Sequence, residues 1–496
     1  MACIGAFQKG WVAQPAVQLF LAPTGGTVMT RTDYDVIIVG AGPAGIFAAL
    51  ELTNPLYREA GRTTCPRVLI LDKGPALDKR RCPSRETGRC MKCATCALMT
   101  GWGGAGAFSD GKLTITTQVG GLLSAFRGQD EAELLVQEVD RLWVQFGADG
   151  EPYNGDLDRI EEVSRQAAIA GMRLQHYPIR HLGTERSGDI LGAMYEELVS
   201  RGVDVRTRTE VARVQTAGSA VVGVETAKGE MLTAPYVVLT PGREGADWLT
   251  RLARDLNLSL SINPVDIGVR VELPAQILQP LTDLLYEPKF IYFSRSFDDR
   301  VRTFCVCPYG EVVIEWAGDV LTVNGHSYAE QRTENTNFAV LVSKNFTEPF
   351  KEPIAYGKYI ARLANLLSGG IMVQRLGDLR AGRRTTEQRL ERCITRPTLK
   401  EATPGDLNLV LPHRYVVNIL EMLDALDQVA PGVASRHTLL YGVEAKFYSS
   451  RLQLSHDLET EVRNLFAAGD GAGVTRGLVQ ASASGLVVAR EILRRR

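Results

Sequence analysis

Glu444, Lys446 and Tyr448 occupy every second position of the run Val443-Glu444-Ala445-Lys446-Phe447-Tyr448. In a strand that spacing puts all three on one face. A carboxylate, an ammonium and a phenol gathered there can move a proton to or from a small substrate, although a solvated sheet face gives the same pattern. Lys112, Arg451 and Arg476 are further cations of the same interest. Cysteine offers a second chemistry. Cys90, Cys93 and Cys96 are spaced C-x2-C-x2-C, and Cys82 precedes them by eight residues. Thiolates so spaced can converge on zinc or an iron–sulfur cluster, exchange electrons as redox thiols, or simply stay reduced and partly buried. The run lacks the fourth cysteine of a ferredoxin-like series and the paired separation of a zinc ribbon. Cys305 and Cys307 alternate on a strand and point the same way, towards a pocket or a core. His326 reads as a loop residue. Arg375, Arg380, Arg383 and Arg384 read as a charged surface helix, with an anion site as the alternative.

These groups need elements to hold them. Val36 to Val39 form a short apolar strand that runs into Gly40-Ala41-Gly42-Pro43-Ala44-Gly45, and a helix-period run follows through Phe47, Leu50 and Leu52. In such a strand–turn–helix, Gly40 makes the turn, Gly42 leaves room for a pyrophosphate, and Gly45 lets the helix press on the strand. The free N–H groups at the helix start favour phosphate. A second strand, Val68 to Leu71, ends at Asp72, whose carboxylate can hold ribose hydroxyls, with Lys73 beside it. Together they predict a dinucleotide site. Residues 101 to 111 carry five glycines, too many for a stable helix, so their value is close backbone approach. Trp102, Phe108 and Leu113 would anchor that segment.

The other end of the chain decides which dinucleotide. Leu465-Phe466-Ala467-Ala468 leads into Gly469-Asp470-Gly471-Ala472-Gly473 and then an apolar helix through Leu478, Val479, Ala483, Leu486, Val487 and Ile492. This resembles the second FAD fingerprint of two-dinucleotide-fold flavoproteins. The resemblance implies that Asp470, after Gly469, takes the ribityl and phosphate part, and that Thr475 to Leu478, with Gly477 and Val479, lie under the pyrimidine ring. A helix dipole there stabilises reduced flavin. Arg476 and Gln480 would hold the flavin or a substrate carboxylate. Tyr236 to Arg243 resembles the segment that passes the adenine side, through Thr240, Pro241 and Gly242; Val211 joins it on the returning chain. Gly104, Ala105, Ser109, Asp110 and Lys112 would then border the isoalloxazine. The whole pattern resembles the bacterial FAD-dependent dehydrogenases, distant relatives of geranylgeranyl reductase-like flavoproteins. It does so on CP…C-x2-C-x2-C…GGAGAFSDGKL, TPGREGADWL (240–249), TFCVCPYGEVV (303–313), GVEAKFYSSR (442–451) and AAGDGAGVTRGLVQASASG (467–485). The family implies the fold, FAD and a redox reaction, and supplies no substrate.

The fold class expected is α/β: a discontinuous, Rossmann-like FAD domain of the two-dinucleotide-binding type with a mixed-sheet α+β substrate domain. Its expected layout is an N-terminal extension (1–33), the FAD domain (34–257, with a helical insertion at about 116–175), the substrate domain (258–455) and a C-terminal return (456–496). At 496 residues and 45% hydrophobic, the chain can bury such cores. A formal charge of −1 argues against nucleic acid, and so against an RNA-modifying flavoprotein. No apolar run approaches the about 18 to 20 residues of a membrane span. Residues 17 to 21 are too short for a signal peptide, and nine cysteines in so long a chain suit a reducing cytoplasm. The reaction expected is hydride transfer between a small-molecule substrate and flavin N5, with a lysine, glutamate or tyrosine moving the proton. No second strand–turn–helix GxGxxG offers a nicotinamide domain. The electron partner is therefore a redox protein, a quinone, oxygen or transient NAD(P)H. A thiol- or iron–sulfur-linked electron-transfer flavoprotein is the competing class.

Overall fold

The computed structural model describes residues 32–59, 65–83, 91, 93–108, 111–182, 186–261, 264–285, 287–317, 319–327, 332–344, 346, 350, 352–446 and 451–496. Residues 1–31, Cys90, Ser109, Asp110, Phe447 and Tyr448 lie outside these residues.

Five parallel strands form the first sheet, in the spatial order Leu465–Ala467, Tyr236–Leu239, Val36–Val39, Val68–Leu71, Asp204–Arg206. The central strands are buried on both faces, which is why they read as unbroken Val/Ile/Leu runs. From Val36–Val39 the chain moves outward to Val68–Leu71 and Asp204–Arg206, then returns on the other side to Tyr236–Leu239 and Leu465–Ala467. The order therefore reverses between Val36–Val39 and Tyr236–Leu239. In open parallel sheets ligands bind outside the carboxyl ends of the strands at such a point.

Two helices from opposite ends of the chain close the face of this sheet. Pro43–Leu52 and Leu478–Arg495 pack along each other. A Cβ at Gly485 would lie 2.1 Å from the carbonyl oxygen of Ala44, so only glycine allows that approach. The amphipathic helix Gln129–Gln145 packs on Leu478–Arg495 and places Leu135, Val139 and Trp143 in the same core. An antiparallel three-stranded sheet (Val211–Ala217, Ala220–Thr226, Met231–Thr233) fills the connection between Asp204–Arg206 and Tyr236–Leu239.

The second sheet has eight strands, in the order Thr403–Pro404, Met372–Arg375, Leu439–Lys446, Val265–Pro274, Asn335–Lys344, Arg300–Cys307, Lys289–Phe293, Met172–Gln175. Along Val265–Pro274 the odd positions Val265, Ile267, Val269 and Val271 enter an apolar core with Phe338, Val340 and Val342 and the helix His413–Asp427. The even positions Asp266, Arg270 and Glu272 are buried on the opposite face. One face is a core and the other a layer of charge. Met172–Gln175 pairs with Lys289–Phe293, so the helix Leu157–Ile169 delivers its chain to this sheet and not to the parallel one. No helix among the described residues is long and apolar enough to cross a membrane.

Candidate active site

The carboxyl edge of the parallel sheet and the charged face of the eight-stranded sheet wall one cavity of about 1390 Å³. The glycine turn builds its first side. Gly40 has φ +114°, and a Cβ on it would lie 2.1 Å from the Thr240 carbonyl oxygen. A Cβ on Gly45 would lie 2.1 Å from the Gly40 carbonyl oxygen. Both glycines are thus required by the protein's own atoms, as their spacing predicts. Gly42 differs. Its backbone (φ −83°) suits any residue, and a Cβ there would meet only Gly104 Cα, at 3.9 Å. Gly42 lines the cavity, so the space in front of it fits a ligand, and the helix start Pro43–Ala44 faces the same space. A pyrophosphate is the group such a cradle accepts.

Asp72 lines the cavity, but its carboxylate has another task. Oδ2 accepts the Ala41 N–H at 2.9 Å, and Oδ1 accepts those of Gly74 at 2.7 Å and Gly101 at 2.8 Å. These bonds occupy most of a carboxylate's acceptor capacity. The ribose role expected of Asp72 is therefore secondary to bracing the turn against the glycine-rich segment. That segment forms a short 3-10 turn, Gly104–Phe108, and Gly103 N–H donates to Ala41 O at 2.8 Å. Trp102 anchors it from the buried side through Nε1–H to Leu191 O at 2.7 Å, and Arg80 holds the carbonyls of Ala97, Leu98 and Trp102. Gly104, Ala105, Lys73, Val211, Thr240, Pro241 and Gly242 all line the cavity.

The C-terminal turn brings Gly469, Asp470, Gly477 and Leu478 to the same space. Asp470 Oδ1 accepts the Thr475 hydroxyl at 2.8 Å and the Gly477 N–H at 3.3 Å. Burial raises the Asp470 carboxyl above its usual range, against the opposing pull of Arg243 and the Thr475 hydroxyl. Val479 is buried behind the turn and does not line the cavity, contrary to expectation, because the second helical residue points into the core. Gln480 is also corrected. It is 2% exposed, donates to Val119 O at 2.8 Å and Thr117 O at 3.3 Å, and accepts the Leu123 N–H at 3.3 Å. It clamps the 117–123 loop and is not available to a flavin or substrate. Arg476 lines the cavity.

From the eight-stranded sheet come the groups able to act on a substrate. Lys446 lines the cavity and lies 3.3 Å from Glu444 Oε1 and 3.3 Å from Glu315 Oε2. Burial lowers its affinity for a proton, but Glu444 and Glu315 more than offset this, and the ammonium is held above its ordinary pKa. Glu444 is wholly buried and does not reach the cavity. Its Oε1 is 3.5 Å from Nη1 of the equally buried Arg270. Glu444, expected to act on a substrate proton, is thus set behind the cavity wall, between Arg270 and Lys446. Lys112, on the strand Lys112–Thr114, lines the cavity 3.8 Å from Glu287.

Sequence reasoning missed the cavity's remaining charged groups. Arg302 pairs with Asp266 at 2.6 Å, and its guanidinium lies over the Phe304 ring at 4.6 Å. Lys289 sits over the same ring at 5.5 Å, and burial, then Arg302, lowers it from 10.5 to about 8. Tyr177 lines the cavity near Lys112, with its phenol raised by burial and by Glu287. The signal was charge at alternate positions of otherwise apolar strands, Asp266 and Arg270 in VDIGVRVEL and Arg302 in RVRTFCVC.

Other expected sites lie elsewhere. Among the described residues no three His, Cys, Asp or Glu side chains gather closely enough to hold a metal ion. Cys93 is exposed and Cys82 and Cys96 are half-buried, while Cys90 lies outside the described residues. Arg375 and Arg383 share Asp378 at 2.8 and 2.9 Å, and Arg380 pairs with Asp424, so this stretch is structural. His326 ends the strand Val320–His326 on an exposed edge. Arg451 pairs its strand with Leu260–Ser261, Nε donating to Ser261 Oγ at 3.0 Å.

Comparison with known proteins adds an independent line. The model of a family described as FAD dependent oxidoreductase matches residues 35–330. A second, described as FAD-dependent protein, C-terminal domain-like, matches residues 264–447. An uncharacterised protein of Clostridium beijerinckii is 26% identical over 489 residues, covering 92% of this chain and 80% of its own length. Among solved structures, glycine oxidase from Geobacillus kaustophilus is 16% identical over 94% of this chain and 95% of its own, with a TM-score of 0.37. L-amino acid deaminase from Proteus vulgaris is 15% identical over 96% of each chain, with a TM-score of 0.37.

Proposed function

We propose, since the chain belongs to the FAD dependent oxidoreductase family, that it is a two-electron dehydrogenase or reductase of a small anionic molecule. Bound FAD would supply the hydride acceptor or donor at flavin N5. Gly40 to Gly45, Thr240 to Gly242 and Gly469 to Leu478 would hold the cofactor, with the start of the helix Leu478–Arg495 contributing its positive end. The observation that carries this reading is Gly42, a glycine the protein's own packing does not require, set at the carboxyl edge of a parallel sheet where two ends of the chain meet.

The wall opposite in sequence, the charged face of the eight-stranded sheet, is suited to a substrate. Lys289 and Arg302, two cations over one phenyl ring, suit a carboxylate. Lys446, kept protonated by two glutamates, would stabilise developing negative charge or donate a proton, and Lys112, paired with Glu287, offers a second ammonium at the cavity. Electrons would leave or enter through a partner bound in turn, NAD(P)H or a redox protein.

The test is anaerobic. The holoprotein is mixed with a panel of amino acids, hydroxy acids and other carboxylates while flavin absorbance is followed. A substrate bleaches the flavin, and deuterium at the reacting carbon slows that phase. Bleaching by NAD(P)H alone, with no deuterium effect from any carbon acid, would contradict the C–H chemistry.

A further inference from the structure

Among the described residues, a pair of cysteines at the cavity wall goes unused by the proposed reaction. Cys305 and Cys307 lie near the end of the strand Arg300–Cys307. In a regular strand, side chains at i and i+2 stand too far apart for their sulfurs to meet. Here the pairing with Asn335–Lys344 shifts register between Phe304 and Cys307, and Cys305 takes φ +47°, a left-handed backbone uncommon for a residue with a Cβ. The irregularity brings the two Sγ atoms to 3.9 Å. Cys305 lines the cavity and Cys307 is buried directly behind it.

The surroundings favour thiol chemistry. The buried Arg270 donates through Nη2 to Cys307 Sγ at 3.1 Å and to Cys305 O at 2.7 Å. Glu287, which pairs with Lys112, accepts the Cys305 N–H at 3.0 Å. The Cys305 thiol and Arg270, against burial, pull the Cys307 thiol below its ordinary value, while Cys305 is held above its own. A thiolate beside a protonated partner is the arrangement from which disulfides form. The strained backbone is held by Arg270 on the Cys305 carbonyl and Glu287 on the Cys305 N–H, and it keeps the two sulfurs together at the cavity wall.

We propose that Cys305 and Cys307 are a redox-active dithiol that closes to an intramolecular disulfide across Val306 and exchanges its electron pair with the flavin. In the oxidising direction, the Cys305 S–H bond breaks and the Cys305–Cys307 S–S bond forms. The electron pair and the Cys305 proton pass to oxidised flavin, giving the anionic reduced form. The reverse step opens the disulfide. The proposal rests on the placement of FAD in this cavity.

Two readouts test it on the full-length holoprotein. The tryptic peptide 303–332 contains both cysteines and no others. After air oxidation and alkylation under denaturing conditions, it is expected unalkylated and lighter by two hydrogens. After reduction it is expected doubly alkylated. In anaerobic dithionite titration the air-oxidised protein is expected to take about four electrons per FAD, two for each couple, and Cys305→Ser or Cys307→Ser about two. The proposal is overturned if both cysteines alkylate fully after oxidation, or if wild type and both variants take equal electrons. A protein that binds no FAD yet forms the disulfide would remove flavin as the partner. Disulfide-free protein that binds FAD and oxidises a carbon acid would overturn the pair alone.

Discussion

Lys289 shows how much one buried side chain can report. Burial and Arg302 lower it from 10.5 to about 8, so between these values the unfolded chain binds a proton that the folded one does not. Where the unfolded state binds more protons, stability rises with pH. FAD-free protein is therefore expected to gain stability from about pH 8 to 10.5, and Lys289→Met to flatten that rise and stabilise the protein below pH 8. Denaturant midpoints across this range check both. Arg270 is the opposite case. It is wholly buried against Glu444, Asn337 and Cys305, and its removal leaves Glu444, among the described residues, with Lys446 as its remaining cation. Arg270→Met should cost about 3–5 kcal/mol of stability, the range for breaking a buried pair from one side. Arg270→Met with Glu444→Gln should cost less than the sum of the two, a coupling readable in a double-mutant cycle.

At the scale of elements, the function depends on two helices from opposite ends of the chain lying in contact at Gly485 and Ala44. Gly485→Val is expected to force them apart, lowering stability by about 1–3 kcal/mol and weakening FAD binding, seen by thermal unfolding and by flavin release. The elements that carry local spacing were legible in the sequence. Val36–Val39 with its turn and the C-terminal turn at Gly469 each announce themselves within about one element's length of chain. What could not be read locally is which atoms spend the polar groups. Asp72 is occupied by N–H groups of three separate segments, and Gln480 by a loop about 360 residues earlier in the chain. The alternation of Glu444, Lys446 and Tyr448 gave the right face for the first two, but a register shift opposite Gly268 to Arg270 changes which residues of Leu439–Lys446 share it. Tyr441 and Glu444 both join the charged layer as a result, Tyr441 donating to Glu272. The bulge at Cys305 is of the same kind, since strand alternation gives the direction of the two sulfurs and not their separation.

Across the whole molecule, the site exists only because a parallel sheet and an eight-stranded sheet present edge and face to one cavity, with residues from 39 to 481 on its walls. The division of labour is chemical. The parallel sheet contributes backbone N–H groups and glycines that suit phosphates, while the eight-stranded sheet contributes side-chain charge that suits a substrate. The family match covers both, residues 35–330 by one model and 264–447 by the other. That FAD occupies this cavity is the claim on which the substrate wall and the thiol pair both depend, and Gly42 tests it most cleanly. A methyl group there meets no protein atom closer than 3.9 Å and strains no backbone, so the fold has no reason to object. FAD-stripped wild type and Gly42→Ala are titrated with FAD, following flavin fluorescence, with circular dichroism to confirm that both are folded. One FAD per chain is expected for wild type, and affinity weaker by more than about tenfold, or about 1.4 kcal/mol, for the variant. Equal affinity in two equally folded proteins would contradict the account.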